Sequence, residues 1–160
     1  MKRSAIIISG MFVAAIATSA AAQTATQTVT FQVDAINQVA VSGTPSMAIT
    51  AAVAGGAPTT VTSSGNTWAV TTNQTGAKIT ASIGSAMPTG VTLSANLGAP
   101  AGGTSAGLKS LSTTAVDVVT GITKLNASGL TLSYQLDATS AAGVITSTTR
   151  VVTYTITGGV

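Results

Sequence analysis

Leu130-Thr131-Leu132-Ser133-Tyr134-Gln135-Leu136-Asp137 and Val152-Thr153-Tyr154-Thr155-Ile156-Thr157 decide the reading of this chain. Within each of these two runs of Gly129–Thr157 apolar and polar residues alternate strictly. A period of two is the signature of a half-buried strand, because successive side chains point to opposite faces of a sheet. Between the two runs, Thr139–Gly143 is a small polar stretch with a glycine able to take positive φ. The spacing predicts a C-terminal β-hairpin, with Tyr134 and Tyr154 as a cross-strand pair on its apolar face.

Working outward, the same alternation recurs. The spacing predicts one extended segment over Gln23–Ser42: Val29, Phe31 and Val33 share a face, Ala35-Ile36 breaks the phase, and Val39 and Val41 resume it. A bulge or a change of sheet near Ala35–Asn37 accounts for such a slip. Shorter strands are predicted from Met47-Ile49, over Asn66–Thr72, Lys78–Ile83 and Val91–Leu97, with turns at Asn73–Gly76 and Ser85–Gly90. Ala54–Pro58 reads as a loop, and Gly98–Gly107 as a mobile surface loop too poor in large apolar groups to pack. Around Ala115–Val119 the spacing fits a strand but also a helical turn or two.

Eight or nine short strands separated by turns predict an all-β fold, an antiparallel immunoglobulin-like β-sandwich, with a closed barrel as the alternative. The abundance of Thr and Val suits pleated surfaces. No fixed period marks a solenoid.

The start of the chain sets an expected compartment. Lys2-Arg3, a mostly apolar run over Ala5–Ala17 and the small residues Ala20-Ala21-Ala22 form a signal-peptide pattern, with cleavage expected after Ala22. The run is shorter than the roughly 20 residues of a spanning helix. Residues 1–22 are thus expected to be a signal peptide and residues 23–160 one domain. That domain is secreted, whether to the periplasm, the cell surface or the medium, and has no integral membrane segment. The chain has no cysteine, so an exported form must draw its stability from core packing, strand pairing or association.

Composition excludes much chemistry. There is no His and no Cys, and the three acidic residues are Asp34, Asp117 and Asp137. The usual general bases, thiol nucleophiles and transition-metal ligands are therefore missing, and no enzyme, cofactor or metal is expected. Asp34 and Asp137 fall on the polar phase of their strands. After residue 22, Lys78, Lys109, Lys124 and Arg150 face the three aspartates, with no basic cluster to track phosphates, so no nucleic-acid partner is expected. Trp68, in phase with Val70, is expected as a core anchor; the functional alternative is an exposed contact for a glycan. Asn73-Gln74-Thr75 and Asn126-Ala127-Ser128 match the glycosylation acceptor pattern. Thr24, Thr26, Thr28 and Thr30, like Thr153, Thr155 and Thr157, form hydroxyl rows that suit a wet outer face. An ice-binding array is the other reading, and it wants stacked repeats that are not visible.

Both terminal strands lack the charges and prolines that normally guard sheet edges. Gln23–Gln32 has neither, and the last strand has only Arg150 near it. With the signal pattern, the opening Thr28-Val29-Thr30-Phe31-Gln32-Val33 and the closing Val151-Val152-Thr153-Tyr154-Thr155-Ile156-Thr157, the chain resembles the secreted, low-charge β-sandwich subunits of bacterial fimbria-like surface fibres and coats. That resemblance implies a structural or adhesive protein that associates with itself or with other surface subunits. Strand exchange would use Val29, Phe31 and Val33 with Val152, Tyr154 and Ile156. The chain departs from chaperone–usher pilins in lacking their disulfide and in ending Gly158-Gly159-Val160. A monomeric module binding a carbohydrate or envelope polymer, through Trp68 or the loop 98–107, is the alternative.

Overall fold

The computed structural model describes residues 22–159. Residues 1–21 of the predicted signal peptide lie outside the described residues. The chain divides into two units, 1–32 and 33–160. Of the first, residues 22–32 are exposed and have no regular secondary structure.

The second unit is all-β and antiparallel. Its strands are β1 (Asn37–Ser42), β2 (Val61–Thr72), β3 (Ala77–Ile83), β4 (Val91–Leu97), β5 (Thr104–Ser105), β6 (Lys109–Ser110), β7 (Val116–Ile122), β8 (Leu125–Ala138) and β9 (Val152–Thr157). A five-stranded sheet runs β1-β2-β8-β4-β6 and a four-stranded sheet β5-β7-β3-β9. Side chains from both sheets meet in one apolar cluster, with Trp68, Val70, Leu97 and Leu132 from the first and Ile79, Val118 and Ile122 from the second.

The two long strands, β2 and β8, hold the first sheet together, and each changes phase once. On β2, Val61 and Ser63 point inward, then Asn66, Trp68, Val70 and Thr72. On β8, Leu125 and Ala127 point inward, then Leu130, Leu132 and Tyr134. An extra residue flips the buried face at each point, where the register jumps between Ser63 and Asn66 and between Trp68 and Val70. Gly65 (φ 82°) and Gly129 (φ 66°) supply the left-handed backbone there.

Several expectations are corrected. The C-terminal runs are strands but not a hairpin: β8 pairs with β2 and β4, whereas β9 pairs with β3 in the other sheet. Alternation stops at Asp137 and resumes at Val152, a gap longer than the 2–5 residues of a hairpin loop, and the chain uses it to change sheets. Gly143 does take positive φ (63°), behind a single 3-10 turn at Ser140–Ala142. The long strand over 23–42 begins only at Asn37, just past the phase break. Met47 packs against the core without forming a strand. Of the two readings open around 115–119, the strand holds, as β7.

Gly98–Gly107, expected to be mobile, is tied down. Gly98 N–H donates to Thr131 O (2.8 Å), Ala106 N–H to Val118 O (2.9 Å) and Ser105 Oγ to Leu97 O (2.6 Å), while Pro100 is buried. Small residues are what allow this close approach. A Cβ at Gly98 would run into Thr131 Oγ1.

Candidate functional site: sheet edges and the N-terminal segment

The four sheet edges are unequal. On one side of the molecule the edge strands β5 and β6 are two residues long, and Lys109 lies on β6. Short, charged edges are poor templates for a further strand. The other two edges, β1 and β9, are six residues each, carry no charge and no proline, and lie in contact with one another. Among the described residues, β9 pairs with β3 on one side and with no strand on the other.

The residues singled out on β9 are where alternation put them. Val152, Tyr154 and Ile156 are half-buried against the core, and Thr153, Thr155 and Thr157 are exposed. Beside them, Val39 on β1 is half-buried and Val41 is exposed. This margin is apolar but incompletely covered. Far more exposed are the three apolar residues of the N-terminal segment: Val29 at 74 %, Phe31 at 88 % and Val33 at 75 %.

Tyr134 and Tyr154 do meet, though across the sheets rather than across a hairpin. Tyr154 Oη donates to Tyr134 Oη at 3.0 Å, tying β8 to β9. Burial raises the ionisation range of both phenols above its ordinary value of 10.0. For Tyr134 the bond from Tyr154 offsets part of that rise; for Tyr154, which would lose its donated bond on ionising, the bond adds to it. A raised folded-state value contributes stability that is intact below the unfolded value and is lost as pH rises further. Stability is therefore expected to be insensitive to these groups up to about pH 9 and to fall above about pH 10. In Tyr134→Phe/Tyr154→Phe that alkaline loss should shrink, which urea melts at pH 8 and pH 11 would reveal.

Trp68 is 1 % exposed, and its indole N–H donates to Gly98 O at 3.2 Å. It presents no ring face to solvent. The charged groups are dispersed over the surface: Lys78 Nζ pairs with Asp117 Oδ1 at 3.0 Å, Asp137 accepts from Thr60 Oγ1 and Gln135 Nε2, and Arg150 Nε donates to Ala86 O. No three acidic side chains come together among the described residues. Of the two glycosylation-pattern asparagines, Asn126 is exposed on β8, while the Asn73 side chain is engaged by the backbone of residues 34 and 36. No helix among the described residues is long and apolar enough to cross a membrane.

Sequence reasoning named both terminal runs but missed β1 as the partner edge of β9. It placed the turn Asn73–Gly76 but missed that this turn grips the start of β1, where Asn37 Nδ2 donates to Gln74 Oε1 (3.0 Å) and Thr72 Oγ1 to Asn37 Oδ1 (2.7 Å). The available signal was three amide side chains, Asn37, Asn73 and Gln74, at strand ends rather than in strand interiors. No family model, curated protein or solved structure matches this chain.

Proposed function

We propose that this chain is an exported, non-enzymatic structural subunit of a surface assembly, built as an immunoglobulin-like β-sandwich and joined to neighbouring copies by strand exchange. The donor is the segment around Val29, Phe31 and Val33. The acceptor is the open edge of β9, with Val152, Tyr154 and Ile156 beneath it.

The exposure of Val29, Phe31 and Val33 carries this reading. Three alternate apolar side chains left in water cost free energy that burial would recover, at about 25 cal/mol per Å² of apolar surface. The β9 edge suits them in kind and in length. From Val29 to Val33 and from Val152 to Ile156 there are the same number of residues, each spanning about 13 Å when extended. An added strand would satisfy the outer backbone groups of β9 and place its apolar residues over the half-buried margin. The unequal edges also support the reading, since β5 and β6 are blunted and β1 and β9 are not. The absence of cysteine means such a joint would depend on pairing and burial alone. As a glycan-binding module the chain would have to work without Trp68, which is buried, and with a tied-down loop 98–107.

Negative-stain electron microscopy of protein beginning at Gln23, concentrated at neutral pH, tests the proposal. Regular filaments or closed rings are expected, and stable monomers at high concentration would refute it.

A further inference from the structure

The turn Asn73–Gly76 between β2 and β3 holds the chain as it runs into β1. Ile36 N–H donates to Asn73 Oδ1 (2.8 Å), Asn73 Nδ2 donates to Asp34 O (2.7 Å), and Asn73 N–H donates to Ile36 O (3.2 Å). The side-chain amide stands in for a strand backbone. It carries the β1–β2 ladder past its last pair, Asn37 with Thr72, so that Asp34–Ile36 are kept in line with β1. On the far side of the same turn Gly158 and Gly159 pass so close that a Cβ on either would overlap Gln74 Oε1 or Thr75 O. One turn thus holds both the approach to β1 and the end of β9.

Register fixes what this means for strand exchange. Asn37 pairs with Thr72 at one end of β2, and Thr157 pairs with Lys78 at the adjoining end of β3. β1 therefore starts where β9 finishes. A segment that leads into β1 could reach the β9 edge of its own chain only by reversing within residues 34–36, and it would then lie parallel to β9. Asn73 occupies the backbone groups of those very residues.

We infer that Asn73 is a positioning residue that makes strand exchange intermolecular: it denies the segment 24–33 the reversal onto its own β9 and so reserves that edge for a second copy. The inference rests on the reading given under Proposed function. Its occupant is the same segment of another copy, not an unrelated partner.

Two changes should each release the constraint. Asn73→Ala removes the side-chain bonds to Asp34 and Ile36. Inserting Gly-Ser-Gly-Ser between Val33 and Asp34 leaves every bond of the turn intact but gives slack for reversal, so it still tests the idea if the substitution impairs folding. Tethering then favours the intramolecular joint through its millimolar effective concentration. Asn73→Ala should move the balance from assemblies to closed monomers by about tenfold or more, the weight of two hydrogen bonds, and the insertion should move it the same way. The readout is a cysteine pair on the polar phase of both segments, Thr30→Cys with Thr155→Cys, which leaves the apolar anchors in place, oxidised and run on a non-reducing gel. With Asn73 present and no insertion, interchain ladders are expected; with either change, an intrachain crosslink on a monomer. Ladders that persist undiminished with the insertion would overturn the role of Asn73 while leaving strand exchange standing. No crosslink of either kind in the parent pair would overturn strand exchange, and this inference with it.

Discussion

Phe31→Asp is expected to abolish assembly while leaving the fold of residues 33–160 unchanged. Phe31 is 88 % exposed and belongs to no part of the apolar cluster, so its replacement should alter the unfolding free energy of the β unit by no more than about 0.5 kcal/mol. Docked over β9, the same position would be buried. An aspartate there would be a desolvated charge without a cationic partner, since β9 and β1 carry none. Such a group costs several kcal/mol, and 3 kcal/mol is already more than a hundredfold in association. Phe31→Leu, which keeps an apolar side chain, should still assemble. Light scattering after size exclusion gives the state, and Trp68 fluorescence in urea gives the stability. Filaments that form equally well with Phe31→Asp would remove this segment as the donor.

Trp68→Ala should have the opposite profile, a severe loss of stability. Trp68 is among the largest fully enclosed side chains, sitting on β2 against residues of both sheets. Truncating a buried tryptophan costs about 3–5 kcal/mol, against a total of about 5–15 kcal/mol for a typical domain. A second cost is local: Gly98 O loses the indole donor, at the point where the loop 98–107 is tied to β8 through Gly98 N–H. Because Trp68 is the sole tryptophan, the urea midpoint must be followed by far-ultraviolet circular dichroism. Trp68→Phe should lie between, since it keeps most of the volume but not the hydrogen bond. A midpoint unchanged in Trp68→Ala would mean that the side chain does not anchor the core as its burial implies.

These two substitutions mark how far the candidate site could be read in advance. The phase of Val152, Tyr154 and Ile156 was legible because period-two alternation is a local property. It shows which side chains share a face. It carries no information on which strand lies alongside, so Tyr134 and Tyr154 were rightly placed on apolar phases yet wrongly joined in one hairpin. Only the register of β9 against β3, and of β8 against β2 and β4, set them on opposite sheets. The loop 98–107 failed for a related reason. Its Gly, Ala and Pro residues offer little apolar surface, but their smallness permits backbone contacts with Thr131 and Val118, residues far along the chain.

By itself, then, the sequence determined the all-β character, the position of most strands, the inward phase of Trp68 and Val70, and the want of charge at both terminal runs. All follow from side-chain chemistry within a few residues. The tertiary structure alone decided which edges are short and which are open, brought β1 beside β9, and placed the Asn73 amide on the backbone of Asp34 and Ile36. Those facts depend on pairing between residues tens of positions apart. There the free energy of one ladder against another is settled by the packing of the whole core, and local pattern has no access to it.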